Sequence, residues 1–396
     1  MRLYLLALNP TDSLTEGFLP AAARLGLHVT LLTNDAERHR GAGVEVVACD
    51  VRDIREVIGE ISRRPAPDAV FSNSDHLQTQ AALAAQYFGL PGKDWRAALR
   101  AKNKALLRRH LAACGADAVW SAELAPGAEV AELLARDVPY PCVVKPREGV
   151  ASEDVVLVAD GPELALRCKE IRQRREGTAL VVEEFLQGEL YTVETLGDGT
   201  RRHVLGGFHT TLSPPPYFIE ERLTFTPASK LPQPAVGQVL DQLDALDVGF
   251  GACHTEFVVQ GGRARIIEVN YRAIGDQCDL LLAGLLDIPL FEHILRTHLG
   301  EPLPAELGAR TDGRACLVYP CAVREGTLTA APARSDRCVN GVEVAYRPLR
   351  AVGERHELYH TNRDYLGVLR VTGRDQEAID RCVEEFLATE RWEITP

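Results

Sequence analysis

The sequence predicts an α/β protein in which an N-terminal, doubly wound parallel βαβ domain precedes an α+β body. Three observations predict it. Short apolar runs alternate with helical patterns over roughly the first hundred residues, the rhythm of a parallel sheet with crossover helices. At 396 residues the chain exceeds what one hydrophobic core serves, so two or three domains are expected. Farther along, strands joined by glycine-bearing turns take over, the clearest being Cys253 to Gln260 and Arg263 to Asn270 across Gly261-Gly262, a pair that supplies positive φ for a tight hairpin.

The elements follow in order. Leu3 to Leu8, His28 to Thr33, Val44 to Ala48 and Ala69 to Ser72 read as strands, with helices at Leu14 to Leu25, Ile54 to Ile61 and Leu77 to Tyr87. Such sheets bind ligands at the carboxyl ends of their strands, here Asn9, Asn34, Asn73 and Asp75. Asn9-Pro10-Thr11 stands where a GxGxxG fingerprint would follow the first strand, so no dinucleotide site is expected there. Trp95 to Ala113 reads as one basic helix, Pro139 to Pro146 as a strand ending at Lys145, and Arg147 to Asp154 as a mobile loop whose backbone N–H groups could close over phosphate. Strand, helix and strand return at Val155 to Val158, Pro162 to Arg175 and Ala179 to Glu183, followed by a bend at Gln187-Gly188 and a hairpin turning at Gly197-Asp198-Gly199. Pro234 to Leu246 has helical spacing, and Leu280 to Leu299 is a helix broken at Pro289. Strands at Ala315 to Tyr319, Val342 to Tyr346 and Tyr365 to Val371 and a helix at Asp375 to Thr389 close the chain.

Composition narrows the chemistry. A net charge of −12 argues against a nucleic-acid or anionic-membrane partner. No apolar run approaches a membrane span, and MRLYLLALNP lacks the longer apolar region and cleavage site of a signal peptide. Ten cysteines without a CxxC pair read as buried free thiols in a reducing cytoplasm, and zinc is not expected.

The hairpin carries the chemistry. Alternation puts His254, Glu256 and Val258 on one face and Ile266, Glu268 and Asn270 on one face of the partner strand. Glu256 and Glu268 lie among apolar residues, where an unpaired carboxylate is costly, so a cation is expected to meet them. Two carboxylates and the Asn270 amide oxygen are hard ligands of the kind magnesium takes beside phosphates, and Arg272 is one side-chain period farther on.

A helical lysine, a lysine at a strand end before a glycine-bearing loop, an EEF segment and the acid-acid-Asn hairpin form an ordered set, and the chain resembles the ATP-grasp enzymes over roughly residues 95 to 300. The resemblance implies domains at 1–100 (N-terminal βαβ), 101–185 (small lobe with linker helix), 186–310 (large lobe) and 311–396 (an αβ segment completing the large lobe). It implies Lys104 as the first nucleotide lysine, with Lys102 as the alternative, and Lys145 as the second, on the α- and β-phosphates. Ser152 in the phosphate loop, a hinge at Glu183, Glu184, Phe185 and Leu186 whose backbone reads adenine, and Glu189 on the ribose hydroxyls complete the nucleotide site. Glu256, Glu268 and Asn270 are implied magnesium ligands, with Mn²⁺ as the substitute ion, and Arg272 and His254 the catalytic pair. His254 belongs to a His-Thr-Glu triplet common in the amino-acid ligating branch.

The implied activity is ATP-dependent activation of a small carboxylate as an acyl phosphate and its joining to an amine, with ADP and phosphate released. Siderophore, antibiotic and dipeptide biosynthesis are all open settings, and a homodimer is left open. A purine-pathway or biotin-carboxylase-like enzyme is the second reading and a non-catalytic nucleotide-binding module the third. The stretch NYRAIGDQCD, with Tyr271 and Ile274 where smaller residues are usual, departs from the family beside the substrate and leaves the nucleotide site intact.

Overall fold

A computed structural model describes residues 1–396. Strands β1 (Arg2–Leu6), β2 (His28–Thr33), β3 (Glu45–Ala48) and β4 (Ala69–Phe71) form a parallel sheet in the order β3-β2-β1-β4. Helices α1 (Leu19–Arg24), α2 (Ile54–Ser62) and α3 (Gln78–Tyr87) accompany it. Leu3 and Leu5 enter one core while Tyr4 and Leu6 enter another, so both faces of the sheet are covered, as a parallel sheet requires.

The single helix expected over Trp95 to Ala113 is two, α4 (Trp95–Lys102) and α5 (Lys104–Ala113). Asn103 breaks it by adopting an extended conformation and accepting a hydrogen bond from the Leu106 N–H, a cap that competes with helix continuation. The consequence is positional: Lys104 becomes the first residue of a new helix, aimed independently of α4.

Strands β5 (Ser121–Leu124), β6 (Cys142–Pro146), β7 (Val156–Val158) and β8 (Leu180–Glu184) make a second sheet, ordered β5-β8-β6-β7. Helices α6 (Val130–Leu134) and α7 (Gly161–Arg174) cover one face by packing on Cys142, Val144, Leu180 and Val182. Alternation therefore turns Lys145 and Glu183 to the opposite face.

The third sheet runs β9 (Leu190–Asp198), β10 (Arg202–Leu212), β11 (Glu220–Thr226), then, after α8 (Gln233–Ala245), β12 (Phe250–Gln260) and β13 (Arg263–Asn270). Helices α9 (Cys278–Leu286) and α10 (Leu290–His298) part at Pro289, as the sequence predicts, and lead to β14 (Arg314–Val318). The C-terminal region adds β15 (Gly326–Ala330), β16 (Ser335–Val339), β17 (Val342–Pro348), β18 (Arg355–His356), β19 (Gly367–Gly373), α11 (Gln376–Thr389) and β20 (Glu393–Thr395). Nine strands join in the order β13-β12-β9-β10-β11-β14-β19-β17-β16, so the C-terminal strands extend the sheet that carries the hairpin. No helix is long and apolar enough to cross a membrane. All ten cysteines are unpaired; Cys114 and Cys338 are exposed, contrary to the expectation of burial.

Candidate functional site

The hairpin pairs His254 with Asn270 and Glu256 with Glu268, and then the register shifts. Phe257 faces Ile266, leaving Ile267 as the extra residue of a β-bulge. The expected grouping of Ile266 with Glu268 and Asn270 is thereby corrected. Ile266 is fully buried in the core with Phe257 and Val269, and Ile267 turns with Glu268 and Asn270 into a cavity of about 670 Å³. The bulge gives the cavity three successive contributions from β13 without disturbing the core behind it.

Lys104 Nζ bonds Glu268 Oε1 at 2.7 Å. Burial opposes the charge on Lys104, but Glu268 outweighs it and holds the lysine pKa above its ordinary value. Lys102 turns away, bonding Asp75 and the Gly149 carbonyl, so Lys104 is the one of the two that reaches the hairpin acids. Opposite, Lys145 Nζ meets Glu183 Oε2 at 2.7 Å, and Arg108 grips the same carboxylate at 2.9 and 3.1 Å. Burial lowers the Lys145 pKa. Burial alone would raise Glu183, yet Arg108 and Lys145 carry it down to about 2.

This geometry changes the reading of the hinge. Glu183 sits in the middle of its sheet, paired with Ser121 on one side and Val143 on the other, so its backbone is committed to ladders and its side chain to two cations. Glu184 is also engaged, its N–H donating to the Trp120 carbonyl and its Oε1 accepting from the Trp120 N–H. Phe185 donates to the Pro141 carbonyl, and Leu186 is the first residue of the segment outside the ladder with neither backbone group engaged. Glu183, Glu184, Phe185 and Leu186 all line the cavity, whereas Glu189 stands exposed outside it, accepting from the Tyr191 hydroxyl at 2.7 Å. Gly188 between them has φ of +154°, and a Cβ there would lie 2.9 Å from the Val259 carbonyl oxygen.

Ser152 lines the cavity from a loop in which Ala151, Ser152 and Asp154 all have positive φ. That loop is tied by the Lys104 N–H to the Arg147 carbonyl and by Asp154 to Arg174 and Arg175. It also meets the C-terminal region, where the Asn362 N–H donates to the Ala151 carbonyl and Arg363 pairs with Glu153.

His254 lies between two acids, with Nδ1 2.7 Å from Glu194 Oε1 and Nε2 3.4 Å from Glu256 Oε1. Burial would lower its pKa, but Glu194 and then Glu256 raise it to about 10, so the ring is a cation at neutral pH and donates from both nitrogens. Glu256 is pushed up by burial and pulled below its ordinary range chiefly by His254. Asn270 donates Nδ2 to Glu256 Oε1 at 3.3 Å. Arg272 lines the same cavity, its guanidinium steadied by the Ala273 carbonyl at 2.9 Å.

Glu194, Arg108, Glu220 and Asn362 escape the sequence reading. Glu194 carries the signal that marked Glu256, an acid inside an apolar strand, in the segment YTVETL. Glu220 and Asn362 carry none, because 142 residues separate partners that bond at 3.0 Å. Of the strand-end residues, Asn73 accepts from the Ala273 N–H and Asp75 pairs with Lys102, joining the N-terminal sheet to the site.

Three oxygen-bearing side chains, Glu256, Glu268 and Asn270, thus share one face beside the cationic groups of Lys104, Lys145, His254 and Arg272. The donor set fits a hard divalent ion, and the cations fit a polyphosphate.

Comparison with known proteins bears on the fold. An uncharacterized protein, y4rH, of Sinorhizobium fredii is 27% identical over 418 residues, spanning 100% of this chain and 84% of that one. The crystal structure of an L-amino acid ligase from Bacillus licheniformis is similar with a TM-score of 0.81 and 22% identity, covering 100% of this chain and 99% of the other. The phosphoribosylglycinamide synthetase of Anaerococcus prevotii has a TM-score of 0.70 at 14% identity, covering 100% and 99%. At these identities the structural likenesses speak for the fold, and residues 138–280 match the family profile of an ATP-grasp domain.

Proposed function

We propose that the chain is an ATP-dependent carboxylate–amine ligase that activates an amino acid or similar small acid and joins it to an amine. The observation supporting this most directly is the meeting of Lys104, Glu256, Glu268, Asn270, His254 and Arg272 on one wall of a single cavity. A module that only held nucleotide would have no use for the acid-acid-Asn set or for two further cations beside it.

In this reading Lys104 and Lys145 hold phosphate oxygens, Ser152 and its loop cover them, and the segment from Glu184 to Leu186 takes the adenine. Glu183 supports Lys145 and takes no part in adenine recognition. Glu189 has to turn inward to reach a ribose. Glu256, Glu268 and Asn270 would hold magnesium, which supplies charge neutralisation at the phosphates. A carboxylate oxygen of the acid attacks the γ-phosphorus, the bond to the β–γ bridging oxygen breaks, and ADP leaves. Arg272 and protonated His254 offset the negative charge that the transferring group brings. The amine nitrogen then attacks the acyl carbon, loses a proton, and the carbon–oxygen bond to phosphate breaks.

The test is nucleotide-product analysis with hydroxylamine as the amine. ATP and a correct acid should give ADP and a hydroxamate, and Arg272→Ala should cut hydroxamate formation far more than ATP binding. Formation of AMP and pyrophosphate would overturn the reading, since that is adenylation chemistry.

A further inference from the structure

We propose that Glu220 and the apolar floor beside it form a subsite for an α-amino acid with a large apolar side chain, its ammonium at Glu220 and its carboxylate toward Arg272. This rests on the ligase reading and names the class of acid that the same cavity takes.

Glu220 opens β11 and faces the cavity. No lysine, arginine or histidine pairs with it. Its one side-chain partner is neutral: Asn362 Nδ2 donates to Oε2 at 3.0 Å, while the Glu220 N–H donates back to Asn362 Oδ1 at 3.3 Å. Asn362 is itself fixed by its N–H on the Ala151 carbonyl. The Glu220 carboxyl is therefore held in place by a reciprocal amide clamp, with Oε1 left without a protein partner. This half-buried acid has no donor at Oε1, and an ammonium supplies one with the matching charge.

The neighbouring wall is of a different character. Leu14, Phe18, Leu223, Ile274, Cys278 and Tyr319 all line the cavity and all belong to the largest hydrophobic core of the molecule. The N-terminal domain contributes the first two, β11 gives Leu223, the segment after the hairpin gives Ile274 and Cys278, and Tyr319 follows β14. A hydrocarbon side chain laid on this floor leaves water for a surface already packed from behind, whereas a charged one loses its hydration with nothing to replace it. Arg272 and His254 stand on the hairpin side, where a carboxylate belongs. Ammonium, carboxylate and side chain thus each meet a wall of matching chemistry.

Two measurements test the proposal. The first is calorimetric titration of the full-length protein with Mg²⁺ and a non-hydrolysable ATP analogue, comparing leucine, 4-methylpentanoate, which lacks the amine, and glutamate. Leucine should bind at least tenfold more tightly than either. The second is phosphate release with the same acids and hydroxylamine. Glu220→Gln keeps an acceptor for Asn362, and in it the leucine to 4-methylpentanoate ratio should fall toward one in both measurements. Equal binding of leucine and 4-methylpentanoate, a preference for glutamate, or an unchanged ratio in Glu220→Gln overturns the proposal. Selective binding of leucine with no phosphate released supports the subsite and sinks the ligase reading instead.

Discussion

At the scale of single residues the site is a set of mutually compensated charges, and Glu183 shows how strongly each depends on its neighbours. Its carboxylate is held at about 2 by Arg108 and Lys145 against the cost of burial. A carboxylate whose pKa falls on folding contributes stability above its unfolded pKa, near 4.5 in the free acid, and that contribution disappears as pH falls toward 2. Glu183→Gln should therefore cost about 3 kcal/mol at neutral pH, the scale for breaking a buried ion pair. The deficit relative to wild type should shrink as the medium is acidified through that range. Denaturant midpoints of both proteins across the acid limb check this, and a deficit independent of pH would refute the role given to Glu183. The same residue marks a limit of sequence reading. EEF was legible as a segment that ends a strand, but which of its acids looks outward depends on the pairing of Glu183 with both Ser121 and Val143, partners about 60 and 40 residues earlier.

At the scale of elements, the bulge at Ile267 decides which side chains reach the cavity. Alternation along each strand was readable from the sequence, and it grouped His254 with Glu256 and Glu268 with Asn270, pairs that the structure brings to one cavity. The bulge was not, because an extra residue leaves no mark in the pattern IIEVN, where Ile266 and Ile267 are chemically alike. Deleting Ile267 leaves Ile266, Glu268, Val269 and Asn270 in strict alternation, so a regular ladder keeps Ile266 and Val269 in the core and both polar side chains at the cavity. No polar group is buried by the change, so the deletion should fold and unfold within a few degrees of Ile267→Ala, which keeps the bulge. Thermal unfolding of the two variants checks this, and a deletion that unfolds far more readily would mean that a regular ladder does not keep those faces. The break at Asn103 is a second feature of this kind: the basic helix was legible, its division was not, since asparagine inside a charged run gives no sign of whether it caps or merely continues.

At the scale of the whole molecule, the cavity is closed by every part of the chain, from Asn9 in the N-terminal domain to Asn362 near the C-terminus. The βαβ start and the hairpin were readable because their contacts are local; the joining of β11 to β14 was not, because Thr224 and Cys316 pair across 92 residues that include α8, the hairpin and two further helices. The loop from Arg147 to Asp154 sits where the two lobes and the C-terminal region meet, bonded to Asn362 and Arg363. Nucleotide should tighten it further, so trypsin cleavage after Arg147 should slow about tenfold in Mg²⁺ and a non-hydrolysable ATP analogue, and equal rates would count against a closing loop. The β11–β14 junction has one more consequence, for the order in which the molecule is made. Because the centre of its nine-stranded sheet waits for residues 314–318, and these in turn for β19, a nascent chain carries the finished hairpin, acids and all, before the wall that shelters it exists. Such long-range pairing slows folding. For the time that takes, during synthesis on the ribosome, the half-built sheet has an open edge, which makes the emerging chain a candidate for chaperone capture and the last eighty residues the step that commits it to its native state.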